Sequence, residues 1–359
     1  MPERTHMVDA VNWVSLTRDP RASTGVPDAL HALWSGDEFL RRSAYNYLAG
    51  TLVQQGSRFP TSIAAIPFLT DVIADPAAGD RFGACQLLRL IAIGDETYWL
   101  IERPDPAVLR ATPAPDQWDI AAYDAVRARI PAFLTALHDH DPAVRMHTAH
   151  LLSWFPEERH VVVPALTRVI GSEPGEHAEV AAVASVAAAL AGGLAADRTL
   201  TGALAMRLAG PLPTERWAAA IAVATLYTRP PREVIDQVYE CLLEAPDPVP
   251  NWPFLDGDMR TLAALTLSRL DPSTAPERVE LLIRRLRQTR PGQERTTLIG
   301  ALVDSVFPRT NKLVSRFTDL QLAVVRALIE ADAWGDGPYV VSLLAAAGLP
   351  KDGPGGFQS

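Results

Sequence analysis

The sequence predicts an all-α protein, an α-α superhelix (solenoid) of about eight helix pairs, and three observations carry that prediction. The first is a helix-opening phrase, clearest in Asp141-Pro142-Ala143-Val144-Arg145 followed by Ala149 and Leu152. Arg81, Arg216, Arg260 and Arg295 open similar segments, with Cys85, Ala220, Ala264 and Ile299 four residues later. The second is a recurring apolar-Pro phrase: Ile66-Pro67-Phe68-Leu69, Ile130-Pro131-Ala132-Phe133 and Val163-Pro164-Ala165-Leu166. The third is that no segment sustains the two-residue alternation of a strand. Irregular repetition of one helix pair is the signature of a solenoid, in which each repeat packs only on its neighbours.

The elements follow in order. First helices of the pairs are expected at 26–35, 62–74, 120–138, 161–171, 197–209, 231–245, 276–289 and 318–331. Second helices are expected at 37–54, 80–93, 141–155, 176–192, 213–227, 256–270, 292–306 and 336–347. The pairs Asp75-Pro76, Asp141-Pro142, Asp247-Pro248 and Asp271-Pro272 mark turns or helix starts, because Pro presets φ and Asp caps free N–H groups. In 276–289, Val279, Leu282, Ile283 and Leu286 recur at three- and four-residue steps, the stripe of a half-buried helix. The 176–192 helix is almost wholly small and apolar, which lets helix axes approach closely and predicts burial on most sides. Two Pro-rich stretches, 95–118 and 245–257, break the rhythm and read as long loops, the kind of segment that often carries function. The organisation expected is an N-terminal extension 1–25, one solenoid 26–350 and a frayed tail 351–359.

Composition bounds the function. A hydrophobic fraction of 48% and a charged fraction of 21% are those of a folded globular chain. The net charge of −9 weighs against wholesale nucleic-acid binding, whose affinity comes mainly from neutralised phosphates. Of the 33 basic residues only Lys312 and Lys351 are lysine, a bias that points to a GC-rich bacterial genome. Cys85 and Cys241 fall in apolar helical patterns and read as buried free thiols, not as a disulfide or zinc framework. No apolar leader opens the chain, and Val180–Leu194 is too short and too weakly apolar to cross a bilayer, so a cytoplasmic location with no membrane contact is expected.

The Asp-Pro-x-Val-Arg and Val-Pro-Ala-Leu phrases resemble HEAT repeats. The run Gln54-Gln55-Gly56-Ser57-Arg58-Phe59-Pro60-Thr61, the phrase Tyr123-Asp124-Ala125-Val126, and the ending from Ala333-Trp334-Gly335 to Gly348-Leu349-Pro350 are similar to a group of uncharacterised bacterial HEAT-repeat proteins. The resemblance covers most of 26–350. It implies that the Asp and Arg positions form a structural ladder from repeat to repeat, interrupted where Val180 stands in place of the Arg. It also implies His at position 54, where this chain has Gln.

Catalytic signatures are weak. His147 and His150 share a helix face near Asp139 and Asp141, but no His-Glu-x-x-His or other His-Glu pair accompanies them. They read as surface or partly buried histidines, with no metal and no cofactor. No nucleophile elbow or phosphate loop occurs. The strongest polar-aromatic constellation runs from Tyr45 to Phe59. Tyr47, Gln55 and Arg58, extended by Trp154, are the expected binding residues, since Tyr and Arg combine apolar area with directed hydrogen bonds. The competing reading is a helix end in which Gln55 and Arg58 cap carbonyls. The function expected is a non-catalytic scaffold or regulator, of assembly or immunity type, holding a protein or peptide partner on the concave face. Two alternatives stand beside it. One is an enzyme or small-ligand binder with a pocket in the groove, as in bacterial secondary metabolism. The other is a HEAT-like DNA-binding or glycosylase protein using Trp154, Trp217 or Trp252.

Overall fold

The structure is a computed structural model that describes residues 7–16, 24–102, 104–111, 118–271, 275–307, 316–353 and 355. The chain divides into two compact units, 1–193 and 194–359, with the division at the Gly192-Gly193 pair. The fold is all-α, an α-solenoid of stacked helix pairs.

In the first unit, α1 (Val26–Ala32) packs on α2 (Glu38–Leu52), and α3 (Pro60–Ala74) on α4 (Arg81–Ile93). Two short helices follow, α5 (Glu96–Glu102) and α6 (Pro106–Ala111), then α7 (Asp119–Arg127) and α8 (Ile130–Ala136). The unit closes with α9 (Pro142–Leu152), α10 (Arg159–Ser172) and α11 (Ala178–Leu190). Second helices stack on one another in the order α2, α4, α9, α11, while α3 packs on α7 and α8 in the other layer. Two helical layers around one apolar interior is the stable way to bury one stripe of each helix. Every residue from Val180 to Ala189 is buried, because Ala and Val side chains let α11 nest against both α9 and α10. The described part of the N-terminal extension packs on α3: Trp13 is buried beside Phe68, and Thr61 Oγ1 donates to the Leu16 carbonyl at 2.9 Å.

The second unit repeats the plan with α12 (Arg198–Leu208), α13 (Pro213–Leu226), α14 (Arg232–Glu244), α15 (Met259–Ser268), α16 (Ala275–Leu286), α17 (Gln293–Val306), α18 (Asp319–Glu330) and α19 (Pro338–Ala346). Here α13, α15, α17 and α19 form one layer, and α14, α16 and α18 the other.

The Asp-Pro phrase acts as a cap. Asp141 accepts from Ala143 N at 2.9 Å and Pro142 begins α9, so two of the free N–H positions of the first turn are answered locally. The ladder is made by the arginines and a later acid or amide, not by the capping Asp. Arg41, Arg145 and Arg216 each donate Nη1 to the carbonyl six residues back, of Ser35, Asp139 and Gly210. Each directs Nε to the next pair: Arg41 to Asp80 at 2.8 Å, Arg145 to Glu173 at 2.7 Å and Arg216 to Gln237 at 3.2 Å. Arg81 reaches Asp139 with both Nη atoms, and Arg295 reaches Asp336 at 2.7 Å. Arg41 is a rung that the sequence motif did not reveal.

Three expected elements differ. The 120–138 helix is broken between Arg127 and Ile130, because Pro131 lacks an N–H and its ring crowds the carbonyl four residues back. The 37–54 helix stops at Leu52, and Val53–Gln54 pairs antiparallel with Ser57–Arg58 across a two-residue turn. The 95–118 segment holds α5 and α6 rather than an open loop, although residues 103 and 112–117 lie outside the described residues. Pro272 and, of the tail expected at 351–359, residues 354 and 356–359 lie outside them as well.

Candidate functional site

A pocket of about 430 Å³ opens in the first unit, between the turn that follows α2 and the two short helices α5 and α6. Both walls come from segments that interrupt the helix-pair rhythm.

The first wall is the hairpin. Its turn residues, Gln55 and Gly56, have φ of 50° and 82°, the paired left-handed conformation that joins strands with the right twist. Pairing Val53 with Arg58 and Gln54 with Ser57 puts Val53 and Arg58 on the buried face and leaves Gln54 and Ser57 exposed. Arg58 is therefore drawn inward, to 8% exposure. Its Nη1 donates to the Gly56 carbonyl, and its Nε lies 3.3 Å from Asp119 Oδ1, out of line for a hydrogen bond. The same Asp119 oxygen accepts from the Arg58 backbone N at 3.2 Å. Gly94, with φ of 65°, leaves the space that the guanidinium fills, since a Cβ there would clash with Nη1. Burial pushes the Arg58 pKa down, and the Asp119 charge only partly opposes it.

The second wall is the insert, clamped at both ends. On α5, Glu96 is buried and meets His150 Nε2 of α9 at 2.8 Å, with Arg89 of α4 at 3.6 Å from its other oxygen. On α6, Arg110 donates from Nε to Asp124 at 3.0 Å and pairs with Glu157 at 2.6 Å. Between these clamps α5 presents Tyr98, half exposed, and Trp99, 8% exposed. Trp99 stacks on Tyr123 of α7 at 5.5 Å and 14°. Tyr123 is fixed in turn by its hydroxyl, which donates to Glu157 at 2.6 Å and lies 3.0 Å from the Trp154 carbonyl. Burial, then the Glu157 contact, drives the Tyr123 pKa far above its usual range, so the phenol stays protonated.

Of the four expected binding residues, the pocket brings together Gln55 and Arg58. Tyr47 lies apart on α2, partly exposed, with its hydroxyl over Gly25, where a Cβ would come within 2.6 Å. Trp154 is buried behind the pocket wall, edge-on to His150. The competing sequence reading is half realised, since Arg58 does cap a carbonyl. Trp99, Tyr98, Tyr123 and Asp119 complete the site and were not singled out; the aromatics of the 95–118 interruption and the Tyr123-Asp124 phrase were the available signals.

The histidine expectation needs correction. His147 and His150 are buried, at 9% and 2% exposure, because the face they share is the one α9 turns toward α4 and the insert. His147 stacks on Phe82, and burial, followed by the nearby His150 and Arg89, pushes its pKa down to about 3. Among the described residues no group of three or more His, Cys, Asp or Glu side chains is arranged to hold a metal. Both cysteines are buried and free, and burial pushes Cys85 up to about 12 and Cys241 higher still. Among the described residues no helix is long and apolar enough to cross a membrane.

Three polar side chains at the pocket keep donor capacity that no described residue uses: the Arg58 Nη2, the Trp99 indole N–H and the Gln55 amide. A walled pocket with convergent donors is equipped to bind and orient a group bearing acceptors.

No family model matches the chain, and no curated protein matches it. Solved structures similar to it include an engineered protein, 18% identical, which matches over 90% of this chain and 92% of its own length with a TM-score of 0.32. Importin beta is 14% identical over 99% of this chain and 54% of its own length, with a TM-score of 0.36, so this chain spans about half of that protein. Likenesses this distant assign neither a family nor an activity.

Proposed function

We propose that this chain is a non-catalytic scaffold or regulator of HEAT-like type that holds a protein or peptide partner, and that the first-unit pocket receives an anchor side chain of that partner. One observation carries the reading: a preformed pocket whose polar side chains keep unused donors, on walls held by the Glu96–His150 and Arg110–Glu157 clamps. Preorganised walls lower the ordering cost of binding, and Tyr, Trp and Arg are the side chains that dominate protein recognition. A cytoplasmic setting accords with this reading.

A second reading, a small-ligand binder, is favoured by the volume, because about 430 Å³ falls within the range of small-molecule sites. Nucleic-acid binding is the weaker reading. Arg81, Arg145, Arg216 and Arg295 meet acids, amides or carbonyls, which leaves little free positive charge on them for phosphates.

The test is paired affinity capture from extract of the native organism, with the wild-type chain and Tyr98→Ala as baits and mass spectrometry as readout. A protein retained by the first and lost from the second, with calorimetry on the purified pair, supports the reading. Identical captured sets from both baits would remove the pocket from the partner surface. Retention of a small molecule instead, seen in native mass spectrometry of the wild type, would favour the second reading.

A further inference from the structure

We propose that the group this pocket receives is a carboxylate of the bound peptide, with Arg58 as its receptor and Trp99 as the second donor. The inference rests on the reading of the pocket as a binding site and names the chemistry that the site recognises.

The argument starts from what Arg58 lacks. A guanidinium carries five N–H donors and no acceptor. Here one Nη1 donor goes to the Gly56 carbonyl, Nε is buried without a hydrogen bond, and Nη2 has no partner among the described residues. The side chain is more than nine-tenths buried. A buried cation needs both an opposite charge and filled donors. Asp119 supplies the charge incompletely. Its Oδ1 is shared between the Arg58 backbone N and Nε, and its side chain is 40% exposed, so water screens the pair. Arg58 thus remains an under-compensated cation at the inner end of the pocket.

Its neighbours fit an acceptor. The Trp99 indole N–H has no partner among the described residues, and it borders the same pocket as Arg58. The Gln55 amide, exposed on the left-handed turn, adds an adjustable donor at the mouth. Charge-assisted hydrogen bonds from Arg to a carboxylate are among the strongest side-chain contacts, and a water-poor pocket strengthens them.

A cationic anchor is the natural rival, because Asp95 and Asp119 also line the pocket. Both carboxylates are already engaged. Asp95 Oδ1 caps the Thr97 N–H at 2.8 Å, and Asp119 serves Arg58. Both are also open to water, whereas the buried charge that an incoming group would meet is positive. A neutral amide could use the donors but would leave the charge of Arg58 unanswered.

The probes are four acetylated tripeptides: Ala-Glu-Ala amide, Ala-Gln-Ala amide, Ala-Lys-Ala amide, and Ala-Ala-Ala with a free C-terminal carboxylate. Each is titrated into the full chain while the Trp99 indole N–H resonance is followed, assigned by its loss in Trp99→Phe. The expected result is binding at roughly millimolar strength for a carboxylate probe, at least tenfold tighter than the Gln and Lys probes, equivalent to about 1.4 kcal/mol. The Glu probe or the free-terminus probe, whichever moves the resonance, identifies the source of the carboxylate. Arg58→Lys keeps the charge but loses the planar fork and should weaken that probe at least tenfold. Should Arg58→Lys fail to fold, Asp119→Asn decides. It removes the competing carboxylate while keeping an acceptor for the Arg58 backbone N, so carboxylate affinity should rise at least threefold. Equal binding of the Gln or Lys probe, or a loss of carboxylate affinity in folded Asp119→Asn, overturns the inference and leaves the pocket as a binding site. No shift with any of the four probes overturns both.

Discussion

Two Pro-rich segments interrupt the helix pairs, and they have opposite fates. Residues 95–111 fold into α5 and α6 and wall a pocket, with Tyr98 half exposed and Asp95 at the rim. Residues 245–257 turn inward. Val249, Trp252 and Phe254 are buried, Trp252 packs on Phe254 at 5.4 Å, and Val249 N closes the loop on the Gly257 carbonyl at 2.9 Å. Composition alone would treat them alike, since each combines several prolines with Trp. The difference lies in what holds each segment. The first is held at its ends by ion pairs and leaves its middle facing a cavity. The second is held by its own aromatics and seals the space it covers. A break in a repeat is therefore a candidate site only when its anchors are separate from its exposed face.

The largest expected effect sharpens this contrast. Trp252→Ala should destabilise the chain by about 3–5 kcal/mol, the range for emptying a buried aromatic site, and leave partner binding intact once the protein is folded. Chemical denaturation of the variant beside the wild type measures it. A loss below about 1 kcal/mol would mean that 245–257 is a loosely held cover, and the two segments would no longer differ in kind.

Gly257 and Gly56 give the next comparison. Both have positive φ, 102° and 82°. A Cβ on Gly257 would lie 2.5 Å from Pro248 Cβ, whereas a Cβ on Gly56 would meet nothing within 4 Å. Gly257→Ala therefore combines conformational strain with a clash and should cost about 2–3 kcal/mol; Gly56→Ala carries the strain alone, about 1 kcal/mol. Thermal melts of the two variants should rank in that order. Equal melting temperatures would show that the 245–257 loop moves aside freely.

These outcomes bear on what the sequence could reveal. The helix pairs were legible because apolar spacing and Asp-Pro caps are local signals; α13 begins at Pro213, as expected, and α9 at Pro142, one residue after the expected start, with Asp141 as its cap. The broken 120–138 helix was legible in principle, since Pro131 lies within it. The inward turn of Arg58 was not, because it depends on a two-residue strand pairing too short to alternate visibly. Sequence also cannot tell how much of an amphipathic aromatic faces solvent, and so did not separate Tyr47, partly exposed on α2, from Trp154, which is buried. Trp99 and Tyr123 are 24 positions apart, and their stack exists only once α5 folds back on α7. The seam between residues 193 and 194 had a local signal, Gly192-Gly193, but nothing in the repeat pattern marked it as a division.

Acidification should separate the two regions by sign. His147 lies on α9 beside His150, which anchors the insert, and its pKa is pushed down to about 3. The folded state holds it neutral, while the unfolded chain protonates it near its ordinary value of about 6.5. Its contribution is fully present above that value and is lost as pH falls from about 6.5 toward 3, on the order of 2 kcal/mol by pH 5. Asp258, beside the inward loop, behaves oppositely. Burial raises its pKa, so it favours the folded state more as pH falls through its folded value. Stability measured from pH 7 to pH 5 should therefore fall, and His147→Phe should flatten the slope, whereas Asp258→Asn, which removes a contribution of the opposite sign, should not. An unaltered slope in His147→Phe would place the acid sensitivity elsewhere.

The smallest effect on stability, and the most direct test of the contrast, comes from Tyr98. Its side chain is 50% exposed and makes no hydrogen bond with another described residue, so Tyr98→Ala should change stability by no more than about 0.5 kcal/mol. Its place on the pocket wall beside Trp99 predicts a different effect on binding. An aromatic anchor at the edge of an interface typically carries about 1–2 kcal/mol, so partner affinity should fall roughly five- to thirtyfold while the melting temperature stays constant. Trp252→Ala should give the reverse pattern, unstable but binding. The two variants together form a double dissociation that neither segment can produce alone. If Tyr98→Ala lowers the melting temperature by several degrees and leaves affinity unchanged, then α5 is a structural filler like the 245–257 loop, and both interruptions serve the fold.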